Sequence, residues 1–512
     1  MIKKVQLGVA ISITNYRYNM ILLLLQCLCT LLAVVCVSSS DDIRNDPRLP
    51  IQGTRNWELL KTTASKFSPR HSHATTIFHC PKPTDDSDCI WLVGGYSDEH
   101  RSYDGKNENE NADVWYSKDG KDFTQVTQLY GDFHQGNVDA KEGGYTAPFY
   151  ARYGHTLNVL DYNGDGKSDV MVLTGGYSPA VSNDVWITTD GIEWLFDEHA
   201  PWSKRGYHSA TVFNGKLWVM EGSPLSNDVW SGTLLLLDNG RYHLDWEQVL
   251  PQAPWTPRAG SCLVTQVSRE LAVDNSTLYT EKMFLLGGLA VDDKDETRTR
   301  NDVWKTQNGT TWELVGEDMP WGSRAFHACA SWSHLDDKSR WIGDSDEEEE
   351  YQPPRIYLTG GGYMGTRGNN EVRELEAFTD TWWSDDLRNW TRVNYQEGSI
   401  HQDNLFSTSE WTETYGNNRK IYRGKWGHSL EAHLTAVDEV DGTVTKVPSL
   451  FVIGGKLEGQ EFTNDVFVSK RGIHCEKNGI SCSNNGVCGE LACECHSGGQ
   501  YCEPKKMPIL LV

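Results

Sequence analysis

The chain has 512 residues, 47 of them basic and 71 acidic, giving a formal net charge of −24. That balance excludes a diffuse affinity for nucleic acid or anionic lipid, so any anion would have to meet a local cluster of basic groups. A hydrophobic content of 38% is enough to bury a large core and leave a small module beside it.

Residues 1–40 carry Lys3, Lys4 and Arg17 ahead of an apolar stretch from Ile21 to Val37, followed by Ser38, Ser39 and Ser40. This is the pattern of a secretory signal peptide, and the apolar run is also near the lower length for an uncleaved signal anchor. Either reading places the rest of the chain outside the cytosol, secreted or on the extracellular face of the cell. Membrane contact is expected only through such an anchor or a segment beyond Val512. Residues 41–55 read as a linker. Three of the 13 cysteines, Cys27, Cys29 and Cys36, fall in the leader, and the others are expected to pair in an oxidising compartment.

From residue 56 one unit recurs six times. Its signature is Asn-Asp-Val-Trp, present as Asn183-Asp184-Val185-Trp186, Asn227-Asp228-Val229-Trp230 and Asn301-Asp302-Val303-Trp304. Variants stand at Asn111 to Trp115, Thr379 to Trp382 and Asn464 to Phe467. Ahead of each lies an apolar run ending in Gly-Gly, as in Trp91 to Gly95 and Val172 to Gly176, and ahead of that an Arg-x-Gly-His start, as in Arg152 to His155. After it, Asp-Gly or Asn-Gly pairs such as Asp190-Gly191 read as tight hairpin turns with positive φ at both residues, leading to a strand begun by an aromatic. Four short strands per unit and six units predict an all-β repeat protein.

The combination resembles the kelch repeat over residues 56–471, which implies a six-bladed β-propeller. The third copy departs with Glu221-Gly222 in place of Gly-Gly, and the sixth starts on Lys425 rather than Arg. The sixth copy also lacks a final strand, and Asn56-Trp57-Glu58-Leu59-Leu60 matches the missing piece, so the ring is predicted to close with the N-terminal strand. By resemblance, Arg70, Arg152, Arg205, Arg258 and Arg324 would stand near a ligand-binding mouth and take acidic peptide or glycan groups. The alternative is that each pairs with an Asp of the Asn-Asp motif. His71, His155, His208, His327 and His428 recur too, as inner-strand residues or, alternatively, a metal-holding ring.

Within the second copy, Asp161-Tyr162-Asn163-Gly164-Asp165-Gly166-Lys167-Ser168-Asp169 places oxygen side chains at alternate positions, a pattern suited to calcium. Asp161, Asn163, Asp165 and Asp169 are the expected ligands, and the loop resembles Asp-x-Asn-x-Asp-Gly calcium loops. Cys80 and Cys89 flank a hairpin and are expected to bond. Cys262 and Cys329 stand one residue out of step relative to Arg258 and Arg324, which leaves their bond open. Asn275, Asn308 and Asn389 head glycosylation acceptor patterns. Insertions at Arg101 to Asn111, Asp344 to Glu350 and Asn394 to Tyr422 lie where binding loops usually sit.

Residues 475–502 hold six cysteines, too many for a packed core in so short a segment. Their order and the Cys493-x-Cys495 pair resemble an EGF-like module. The resemblance implies bonds Cys475–Cys488, Cys482–Cys493 and Cys495–Cys502; spacing alone leaves fifteen pairings. Residues 503–512 form an apolar tail. The expected function is extracellular recognition or adhesion, binding a protein or glycan through propeller loops stabilised by calcium. No catalytic residue is nominated and no enzymatic activity is expected. The alternative is a carbohydrate-active or galactose-oxidase-like copper enzyme on the same scaffold. Thr188 to Trp194 looks like a sialidase box, but Gly191 follows Asp190 directly, one residue out of place.

Overall fold

The computed structural model describes residues 57–60, 66–81, 87–97, 111–126, 148–178, 180–271, 277–291, 296–332, 355–364, 376–392, 413–415, 419–421, 424–438, 444–457 and 462–469, and backbone strands within 475–495. By its contacts the chain divides into residues 54–470 and a second unit of 1–53 with 471–512.

The first unit is an all-β propeller of six blades, with no helix among the described residues. In blades 1 to 5 four antiparallel strands follow in chain order. Blade 2 is representative, with Thr156–Leu160, Val170–Ser178, Ala180–Thr188 and Leu195–His199. The apolar run of each second strand is buried, as in Asp88–Val93 and Arg355–Thr359, while Tyr279 in the longer strand of blade 4 is exposed. The run is covered on both faces, which is why it reads as unbroken. Blade 6 takes its outer strand from the other end of the chain: Trp57 pairs with Ser469, Glu58 with Val468 and Leu59 with Phe467. The expected closure is present: Trp57–Leu59 covers the edge of Val466–Ser469 and completes the last blade.

The cores lie between blades. Trp91, Phe78 and Val93 of blade 1 pack against Leu157, Met171 and Trp194 of blade 2. The Asp-Gly turns belong to these seams and are not two-residue hairpins. Asp190 Oδ1 accepts from the backbone N–H of Ile192 and Glu193, and only Gly191 has positive φ, at 72°. The Asp side chain thus folds a longer loop that tucks against the neighbouring blade. A Cβ on Gly191 would lie 2.2 Å from Trp91 of blade 1, so the glycine is demanded by close approach as well as by φ.

In the second unit, Cys475–Lys477 pairs with Ile480–Cys482, and Gly486–Cys488 with Cys493–Cys495. The expected bonds among these cysteines lie outside the described side chains. The leader, the acidic run, Asn275 and the C-terminal tail also lie outside the described residues.

Candidate functional site

The repeated arginines are buried to 0–2% exposure. Each guanidinium forks onto the Asp of its own blade: Arg70 on Asp113, Arg152 on Asp184, Arg205 on Asp228, Arg258 on Asp302 and Arg324 on Asp380. Nη1 also donates to the carbonyl of the residue that begins the Gly-Gly position, as Arg152 does to Gly175 at 2.8 Å. Burial alone would push the Asp184 carboxyl up, but Arg152 beside it, with bonds from Ser182 and Trp186, holds it well below the usual range. These donors are engaged inside the blades, so Arg70, Arg152, Arg205, Arg258 and Arg324 do not form the ligand-facing basic ring that was one expectation. In blade 6 Lys425 takes the position; burial lowers it to about 8, against the pull of Asp465.

Two residues beyond each of these cations the six blades meet at the axis. Gly154 N–H donates to Ser72 C=O, Tyr207 to Gly154, Gly260 to Tyr207, Phe326 to Gly260, Gly427 to Phe326 and Ser72 back to Gly427, at 2.6–2.9 Å. All six residues have positive φ, including the non-glycines Ser72, Tyr207 and Phe326. A closed ring of hydrogen bonds between peptide groups over-determines this conformation and offsets its cost. The next residue outward is a buried imidazole in five blades: His73, His155, His208, His327 and His428. The member from blade 1 is therefore His73, not His71. Burial, with the adjacent cation, holds these rings neutral, at about 3 for His208, His327 and His428.

The exception lies between blades 3 and 4. Elsewhere each His presses against the first glycine of the preceding blade, as His155 does on Gly94. Here Glu221 replaces that glycine, with φ of 63°, and Ser261 replaces the imidazole. The space released by the smaller Ser261 is what admits the glutamate, which accepts from Ser209 Oγ and is raised to about 7 by burial, against the opposing charge of Arg258.

One residue after each cation, the chain bridges to the residue after the Gly-Gly position. The six bridges are His71 with Tyr96, Tyr153 with Tyr177, Gly206 with Ser223, Ala259 with Leu289, Ala325 with Gly362 and Trp426 with Lys456. The backbone repeats around this rim, but the side chains do not. Blades 6, 1 and 2 carry rings and a lysine; blades 3, 4 and 5 carry small or aliphatic residues. Together with Tyr207 and Phe326, the rings form a girdle: Trp426 to His71 at 4.7 Å, His71 to Tyr96 at 5.5 Å, Tyr96 to Tyr153 at 5.3 Å, Tyr153 to Tyr207 at 5.9 Å, Tyr207 to Phe326 at 5.0 Å and Phe326 to Trp426 at 5.8 Å. Lys456 Nζ lies over Trp426 and Phe462. All the Tyr, Phe and Trp members are half-buried.

The loop at Asp161, Asn163, Asp165 and Asp169 is largely exposed and folded by its own side chains. Asp161 accepts from Gly164 and Gly166 N–H, Asn163 from Asp165, Asp165 from Lys167, and Asp169 from Tyr162. Among the described residues a separate group, Asp197, Glu198 and His243 on the outer strands of blades 2 and 3, brings its ligand atoms within 4.8 Å of one another. Sequence reading missed it because the strands are far apart in the chain. Cys80 and Cys89 are bonded, and so are Cys262 and Cys329, which join blades 4 and 5. Asn308 and Asn389 are exposed in the turns before the outer strands.

The molecule is thus a β-propeller of six four-stranded blades with an asymmetric, aromatic-lined mouth. No protein-family model matches the chain, and no curated protein matches it. Among solved structures, one titled "Structure of YjhT" is similar at 14% identity, covering 82% of this chain and 96% of that one, with a TM-score of 0.39.

Proposed function

We propose that the protein is an extracellular recognition module that holds a saccharide or protein ligand on the aromatic girdle at its mouth. The observation that carries this reading is the contrast at the rim between a bridge repeated in all six blades and side chains that differ between its two halves. A fold demands repetition; side chains that break it on a loop-bearing rim are free to serve a ligand. Tyr and Trp rings offer stacking faces with a polar edge, and Lys456 adds a cation beside them. The kelch-like signature, the EGF-like cysteine order and the leader fit an extracellular setting. Calcium at Asp161, Asn163, Asp165 and Asp169 would stiffen blade 2; the turn already gathers Asp161 and Asp169 around its amides, and these oxygens suit a hard cation.

The test is binding of the purified protein to arrays of glycans and of peptides, compared with Trp426→Ala and Lys456→Met. Loss of binding in variants that melt like the wild type supports the reading. Undiminished binding by both would remove the mouth from consideration.

A further inference from the structure

Beside the small-residue half of the mouth lies a polar cavity of about 560 Å³, and its lining includes Arg300, Arg298, Thr299, Ser323, Tyr363 and Trp255. It begins one step outward from the rim: Tyr363 follows the rim residue Gly362, and Thr299 pairs with the rim residue Leu289. The position of Arg300 is fixed by the repeat. Its carbonyl accepts from Arg324 N–H of the next blade, the bond that Ser182, Ser226 and Thr463 make to Arg205, Arg258 and Arg70, and Asn111 and Phe378 to Arg152 and Lys425. In blades 2, 3 and 6 the residue is a hydroxyl that caps the N–H of the Asp two positions on, at 2.9–3.2 Å. Blade 4 gives up that cap for a long cation. Arg300 Nε is buried and has no hydrogen-bond partner, a costly arrangement for a guanidinium nitrogen. Of the other charges at the cavity, Asp302 takes Arg258 and Arg298 pairs with Glu296. Glu317 and Asp318 also line it and would repel a second acidic group, which restricts the cavity to one anionic group held at Arg300.

We infer that this cavity holds the anionic oxygen group, carboxylate or sulfate ester, of an acidic saccharide whose ring stacks in the adjoining mouth. The inference rests on the mouth being the binding site. Arg300 donates to the anion, Tyr363 and Ser323 offer hydroxyls, and the neutral part of the sugar lies on the girdle. The unpaired guanidinium of Arg300 adds binding for the charged sugars that a neutral sugar does not gain.

The experiment is saturation-transfer NMR with glucose, glucuronate and glucose 6-sulfate, on wild type, Arg300→Gln, Arg300→Lys and Trp426→Ala, with melting curves to verify folding. The wild type is expected to prefer one or both charged sugars over glucose by about tenfold or more. Arg300→Gln should abolish that preference by weakening the charged sugars, Arg300→Lys should restore part of it, and Trp426→Ala should weaken all three sugars. Preference for glucuronate identifies the carboxylate, and preference for glucose 6-sulfate the sulfate. An equal response of wild type and folded Arg300→Gln to every sugar overturns the inference and leaves the mouth standing. Binding of charged sugars that Trp426→Ala leaves intact, or no binding of any sugar, overturns the saccharide reading of the mouth and the inference with it.

Discussion

Arg152 and Asp184 meet through two parallel bonds, Nη1 to Oδ1 at 2.9 Å and Nη2 to Oδ2 at 2.7 Å, with Trp186 Nε1 donating to the same Oδ2 at 2.7 Å. The Arg side chain is wholly buried and the Asp 9% exposed, so removing one partner strands a charge in the blade. Arg152→Met is therefore expected to cost about 3–5 kcal/mol in denaturant unfolding. Lys305→Met, at the exposed pair with Glu313, should cost less than about 1 kcal/mol. Equal costs would contradict a structural role for the forks.

Acid should destabilise the propeller well above the range of ordinary carboxylates. His208, His327 and His428 titrate at about 3 when folded and near the ordinary 6.5 when unfolded, because burial and then a neighbouring cation disfavour the imidazolium. Between those limits the unfolded state binds the extra protons, so the contribution is complete above pH 6.5 and is lost as pH falls toward 3. Each ring accounts for about 1.4 kcal/mol per pH unit. Melting temperature should drop steeply from pH 6.5 to 4.5, and His208→Gln should flatten the slope. A level profile across that range would contradict neutral burial.

Glu221 works in the opposite direction. Its folded value of about 7 exceeds the ordinary 4.5, so its contribution is complete below pH 4.5 and is lost as pH rises through 7. Glu221→Gln should remove that alkaline decline. If Glu221 and Ser261 replace a Gly and a His as a pair, Glu221→Gly and Ser261→His should be strongly non-additive, with a coupling of about 0.5–3 kcal/mol in a double-mutant cycle. Additive effects would separate the two replacements.

Deleting residues 56–60 exposes Val466–Ser469 as a sheet edge. The truncated protein should melt much lower and associate through that edge, measured by calorimetry and light scattering. An unchanged melting curve would contradict closure at Trp57.

Much of this architecture is legible in the sequence because blades are local units: the six Asn-Asp copies, the Gly-Gly runs and the match of Trp57 to the outer strands fix blade number and closure. The sequence leaves the pairing of each Arg with its Asp open, since the motifs show that both recur but not whether the guanidinium turns inward. The axial ring was not legible, because it joins backbone groups of Ser72 and Gly427, far apart in sequence and of no shared side-chain type. Cys262 and Cys329 teach a separate point. A one-residue offset puts them on opposite faces of their blades, and opposite faces are what meet when like-oriented blades stand side by side, so the offset enables the bond. The cavity at Arg300 is not legible in the sequence, because an Arg before Asn-Asp is unremarkable until Ser182, Ser226 and Thr463 at the equivalent positions are seen to cap their Asp residues.

The most direct test of the mouth as binding site is hydroxyl-radical footprinting of the protein with and without a saturating ligand found on the arrays. Protection is expected at Tyr96, Tyr153, Tyr177 and Trp426, with Tyr162 and Tyr279, which are exposed and belong to none of the rim bridges, unchanged. Protection at Tyr162 or Tyr279 with the girdle residues unaltered would contradict the account.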